Sequence, residues 1–243
     1  MDPTSKDSAS APSPERWTAS DIARWPHTAL LVALIVAVAS TGAVALRPTS
    51  AVAGASTTAS PIVHVYLPGL LVGWGLVLYV SRVGRARSAL AFLIGRGWST
   101  VARACGDLAL AGLGWLIIEA SELAFARIGR VDTSDAVRAM LPSTALERCI
   151  WVAFAVSAGF CEEVVYRGYL EKQLAAFTRR PASGVALQAV LFGLAHLEQG
   201  PATAARLAVY AVGLGVLAYA RRSLWPGIVC HVAIDVTSGL LRA

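Results

Sequence analysis

The strongest constraint on this chain is a series of apolar runs too long and too free of charge for a soluble core. Thr28–Leu46 is 19 residues without a charged side chain, and Ile62–Val80 repeats the pattern with only His64 to interrupt it. A helix of about 20 such residues crosses a hydrocarbon core about 30 Å thick. Within lipid the backbone must satisfy its own hydrogen bonds, which selects helices. Further runs lie at Ala104–Ala126, Glu147–Phe177, Ser183–Leu197, Ala202–Ala220 and Leu224–Leu241. The expected fold is all-α, a polytopic membrane helical bundle of about seven transmembrane helices. Only 15% of residues are charged, against roughly 25% in soluble domains.

The runs divide the chain into three parts. Residues 1–26, rich in Ser, Ala, Pro and Asp, read as a disordered N-terminal tail, with Trp17 and Trp25 placed as interfacial anchors. Residues 27–146 hold three N-terminal transmembrane helices and their loops. Residues 147–243 hold four closely spaced apolar helices, the expected four-helix catalytic core. Ala51-Val52-Ala53 resembles a signal-cleavage site, but the leader is too long and too acidic for a usual signal, so Thr28–Leu46 is read as a retained span. Gly69 and Gly73 in the second span have the GxxxG spacing that serves helix packing.

Charge sets orientation. The net charge of +6 is nearly all arginine, gathered between the runs. Arg82, Arg85, Arg87, Arg96 and Arg103 mark one cytoplasmic loop, Arg179-Arg180 a second and Arg221-Arg222 a third, which places the N-terminus in the cytoplasm. Ala89–Ile94 is short enough to dip into the interface. Arg127–Glu147, with Pro142, is assigned to the outside. No basic block interleaved with aromatics is present, so nucleic acid is excluded as a partner. The partners expected are membrane lipids and a peptide or membrane-protein substrate. Cys105, Cys149, Cys161 and Cys230 show no CxxC spacing and are read as reduced thiols in or beside spans.

Polar residues inside the runs locate the chemistry. Ser157–Leu170 reads SAGFCEEVVYRGYL. As a helix, it makes Glu163 and Arg167 i,i+4 partners, and Glu162, about 100° round, points elsewhere. Carboxylates at membrane depth are costly and mark functional sites. His196 closes the fifth run, and His231 and Asp235 share one face of the seventh. Counting 1.5 Å per residue from the Glu171–Lys172 edge places Glu162 about 14 Å deep. His196 and His231 come out about 10 Å and about 13 Å deep by the same rise. A common layer implies one site between helices. Glu119 and Glu122, three apart in the third run, line a cavity or pair with an arginine.

A carboxylate beside a histidine can take a proton from water, and a second histidine can hold the oxyanion that follows. That is peptide-bond hydrolysis without a Ser or Cys nucleophile. The zincin pattern HExxH is absent. Two histidines and one glutamate nonetheless suit Zn2+, so a divalent metal stays open. The rival classes are an ion- or proton-coupled transporter, which predicts inverted repeats that the sequence lacks, and an inactive membrane scaffold.

Glu162-Glu163-Val164-Val165-Tyr166-Arg167 resembles the EExxxR motif of the CPBP family, the CAAX-protease and bacteriocin-processing (Abi) proteins. Phe192–His196 resembles that family's FxxxH motif, and His231–Asp235 its HxxxN/D motif. The resemblance covers about Glu147–Leu241. It implies an intramembrane endopeptidase related to the type II CAAX prenyl endopeptidases, many of which carry the name metalloprotease. It implies that Glu162 and His196 activate water, that His231 and Asp235 stabilise the oxyanion, and that Glu163 and Arg167 brace the site. Prenyl-processing members usually have Asn at the last motif position. A carboxylate there cannot donate a hydrogen bond unless protonated, so Asp235 is better suited to orienting His231. The resemblance further implies a bacterial plasma membrane and a peptide substrate, either lipidated at a CAAX end or bacteriocin-like.

Overall fold

The computed structural model describes residues 24–45, 60–83, 89–127 and 135–241. Of the tail expected over residues 1–26, residues 1–23 with Trp17 lie outside them, as do the cleavage-like Ala51–Ala53, Arg85, Arg87 and Arg130, whereas Trp25 and Pro26 are helical. The described residues form helices in the order α1 (Trp25–Ala45), a π-helical turn (Ile62–Tyr66) running into α2 (Leu67–Val83), α3 (Ala89–Ile94), α4 (Val101–Arg127) and α5 (Asp135–Met140). Then come α6 (Ala145–Glu162), a π-helical stretch (Glu163–Glu171), α7 (Lys172–Thr178), α8 (Pro181–Ala195), a 3-10 turn (Leu197–Gln199), α9 (Pro201–Arg221) and α10 (Trp225–Leu241). No β-strand occurs among the described residues; Gly95 and Ser223 form an isolated bridge.

Four of these helices are long and apolar enough to cross a membrane: Ile62–Val83, Val101–Ala124, Ala145–Thr178 and Pro201–Arg221. Trp25–Ala37, Pro181–Ala195 and Trp225–Leu241 are shorter apolar helices. The protein is therefore a helical membrane bundle, and the seven expected runs are all helical. Their burial is graded. In the most apolar window, 11% of Ile62–Val83 is buried, against 44% of Ala145–Thr178. The helix carrying the paired glutamates is the central one. Leu71, Val72, Leu113, Leu116 and Ile117 point outward from α2 and α4. Such contiguous apolar surface is stable against lipid and not against water.

Small residues set the helix contacts around α6. A Cβ on Gly69 would meet Phe154 at 2.8 Å and one on Gly73 would meet Cys161 at 3.3 Å, so the GxxxG pair seats α2 on α6. On another side, Gly159 faces Val232 and Trp151 lies against Gly239, which makes α6 and α10 antiparallel neighbours. Trp151 Nε1 donates to Asp235 O at 2.9 Å and fixes that register. The α6 N-terminus is held by a capping box, Thr144 with Glu147. Glu147 also accepts from Ser60 Oγ at 2.7 Å.

Gly184 brings α8 onto the motif helix. A Cβ there would strike Glu171 O and come within 2.7 Å of Ala175 Cβ. Gly184→Ala should therefore force α8 away from α7, lowering stability by roughly 1–3 kcal/mol. The check is the thermal midpoint in detergent, and a midpoint equal to wild type would contradict this close packing.

The loop that follows α3 is built as a clasp. Arg96 N donates to Arg222 O and Leu224 N to Ile94 O, both at 2.9 Å. Gly95 has φ +79° and its Cα faces Arg222 O, a position where a side chain has no room. Lys172 Nζ donates to Phe92 O and Leu93 O at 2.9 and 2.8 Å, satisfying the last carbonyls of α3. Ala89–Ile94 is thus a packed helix, with Leu93 buried against Gly168. Asp107, fully buried, pairs with Arg221 at 2.7 Å and ties α4 to α9. Glu122 does pair with an arginine, Arg206, at 3.5 Å, and accepts from Tyr210 at 2.5 Å. Glu119 accepts from Thr237 at 3.1 Å.

Candidate active site

The central cluster forms where the α6–π junction faces α10. His231 Nδ1 lies 3.0 Å from Glu163 Oε1, and donates to it, since a carboxylate only accepts. Its Nε2 lies 3.6 Å from Glu162 Oε2 and 3.6 Å from Asp235 Oδ2. Three carboxylates thus surround one imidazole. The expectation that Glu162 points away from Glu163 is corrected. Adjacent residues do diverge, but the ring is wide enough that one reaches each nitrogen. The Nε2 contacts are too long for direct hydrogen bonds and short enough for one water to touch all three groups.

Burial separates the two glutamates. The side chains of Glu163 and Arg167 are 0% exposed, whereas Glu162 and Asp235 keep 31% and 30%. Glu163 and Arg167 form the buried side of the cluster, and Glu162 and Asp235 its part-exposed side. Arg167 Nη1 lies 2.9 Å from Glu163 Oε1 as expected for i,i+4 partners. No guanidinium N–H meets an acceptor in hydrogen-bond alignment, so the contact is electrostatic. The guanidinium lies over the Phe192 ring, 4.5 Å from its centroid. Gly227, one turn before His231, leaves the space that Glu163 Oε2 occupies, and a Cβ there would meet it at 2.9 Å.

Two expectations about this region change. The stretch from Glu163 to Glu171 is π-helical rather than α-helical. Such wide turns are rare and are found mostly at functional sites. Depths counted at the α-helical rise therefore do not carry through it. Glu171, taken as a polar edge, is 5% exposed and sits in the core.

His196 is also displaced from its expected setting. It lies past the end of α8, as its C-cap, at φ −109° and ψ 18°. Its Nδ1 donates to Phe192 O at 2.7 Å, which leaves Nε2 as the ring acceptor. No hydrogen bond or ion pair among the described residues joins it to the other five. The link is the Phe192 ring, 4.6 Å from the His196 ring and 5.9 Å from that of His231. His196 stands within electrostatic reach of Asp235. Phe192 therefore touches Arg167, His196 and His231 at once, a role that its place in FxxxH hints at but does not define. Trp151, which holds the Asp235 backbone, was not singled out in the sequence. Its signal is the buried i,i+4 series Trp151, Ala155, Gly159.

The residues do not fit a metal. Among the described residues no group of three or more His, Cys, Asp or Glu is placed to hold one. The His2Glu set left open by the sequence does not assemble among the described residues.

The fold and the cluster define a class: an integral membrane helical protein whose polar groups cluster between apolar helices, two of them part-exposed. Residues 144–237 match the family model described as Type II CAAX prenyl endopeptidase Rce1-like. That segment is similar to the CAAX-protease family, in agreement with the three motifs. No curated protein and no solved structure matches the chain.

Proposed function

We propose that this protein is an intramembrane endopeptidase in which Glu162 activates water beside His231, acting on a CAAX-type prenylated protein end. The observation that supports it is the convergence of the part-exposed Glu162 and Asp235 on His231 Nε2, with Glu163 behind the same ring. Glu162 takes a proton from water, and the hydroxide adds to the scissile carbonyl carbon. The oxyanion that forms is met by Nε2–H of His231 in its doubly protonated form, with Nδ1–H held on Glu163 and Asp235 orienting the ring. Glu162 then returns its proton to the departing amine as the C–N bond breaks. His196 Nε2, the acceptor end of its ring, shares the proton transfer from the rim. Arg167 keeps Glu163 in place. The arginine-bearing loops support a cytoplasmic N-terminus, and the family resemblance suggests a bacterial plasma membrane.

The test is cleavage by the purified protein of a prenylated CAAX peptide and of a mixed membrane-peptide library, each with and without chelator. Release of the AAX tripeptide that follows the prenylated cysteine supports the reading. Cleavage confined to unlipidated library peptides moves the substrate to bacteriocin-like processing. Activity is expected to survive chelation, because the site as built has no metal ligand set; loss on chelation would hand water activation to a metal.

A further inference from the structure

The motif helix carries a third buried acid that the mechanism above does not use. Glu171 follows Arg167 by one turn, as Arg167 follows Glu163. All three are buried, with relative exposures of 0% for Glu163, 1% for Arg167 and 5% for Glu171. Glu171 lies within electrostatic reach of Arg167, Glu163 and Lys172. Lys172 is committed to the α3 carbonyls. Glu171 Oε2 has no hydrogen-bond partner, and neither has Gln188 Oε1 on α8. Both side chains converge over Gly215 of α9, where a Cβ would lie 2.8 Å from Glu171 Oε2 and 2.8 Å from Gln188 Nε2. Gln188 itself is anchored by donating to Ala211 O at 3.0 Å.

A buried guanidinium without aligned hydrogen bonds is held by charge and packing alone. The Phe192 ring supports one side of Arg167 and Glu163 draws it toward His231. Glu171 is the acid on the opposite turn. Its seat lies over Gly215 of α9, where a side chain would come within 2.8 Å of Oε2. A carboxyl group serving solubility would face water, and one serving packing would be apolar.

We propose that Glu171 is a positioning residue that acts through Arg167, holding the guanidinium between two acids so that Glu163 stays set on His231. This rests on the endopeptidase reading for its effect on turnover. Glu171→Gln keeps size and a hydrogen-bonding end but removes the acid. In cleavage of the prenylated CAAX peptide it should lower kcat about tenfold with KM within about twofold, the pattern of a group that acts on the reacting constellation and not on substrate binding. In an Arg167→Lys background, where the guanidinium fork is already lost, the same change should lower kcat less than about twofold. Non-additivity of this size is what residues acting through one another give. Equal losses in both backgrounds, or wild-type kcat in Glu171→Gln, would overturn the proposal. The thermal midpoints of the same four proteins supply a readout free of activity. The Glu171→Gln loss in midpoint should shrink in the Arg167→Lys background, and additive losses would overturn it. A wild-type protein that cleaves nothing sinks the endopeptidase reading alone, and the midpoints still decide whether Glu171 acts on Arg167.

Discussion

Glu162→Gln is expected to abolish cleavage and leave the protein folded. The change is isosteric, so packing around the junction of α6 and the π-helical stretch is kept. The side chain is 31% exposed and lies 3.6 Å from its nearest partner, and the fold loses no aligned hydrogen bond. Substitutions of that kind usually move stability by no more than about 0.5 kcal/mol. The amide, however, cannot take a proton from water. General-base removal typically costs about 10²–10⁴-fold in rate, and peptide hydrolysis at this site has no second exposed glutamate on His231 Nε2. The measurement is kcat on the prenylated peptide beside the thermal midpoint of the same preparation. Retained turnover would move the base to Asp235 or His196. Turnover lost together with the midpoint would show that Glu162 is structural.

Arg167→Leu should have the opposite signature, a large loss of stability with activity lost as a consequence. Arg167 is 1% exposed and Glu163 is fully buried. Removing the cation leaves a carboxylate in an apolar interior with only the His231 Nδ1–H against it. Breaking a buried pair in this way costs about 3–5 kcal/mol. Leucine fills less of the space under Phe192 and restores none of the charge. Arg167→Lys keeps a cation but not the flat group that stacks on the ring at 4.5 Å, so it should fall between Leu and wild type. Thermal unfolding in detergent ranks the three. A Leu variant as stable as wild type would mean that Glu163 is paired by something else, and the wall of the site would need reassignment.

Much of the architecture could be read from residue order alone. The apolar runs fixed the helices because a backbone in lipid has no other way to bond. The order Glu162-Glu163, Arg167, then His196, then His231 and Asp235 identified the groups because polar side chains are expensive at that depth. The Glu163–Arg167 contact was legible because it is local, one turn on one helix. The capping box at Thr144 and Glu147 was equally local, and its S/T-x-x-E spacing was there to be read.

What the sequence could not supply were distances between helices. Which face of α10 meets α6 depends on Gly159 against Val232 and Trp151 against Gly239, pairings between positions some 70 to 90 residues apart in the chain. Only that packing brings Glu162 and Glu163 to opposite nitrogens of one ring. The π-helical turn, the end of α8 just before His196 and the burial of Glu171 are likewise outcomes of neighbours. Residue type and periodicity determined which groups are costly to bury. The tertiary fit of small residues at the helix crossings decided which of those groups share one another's charge.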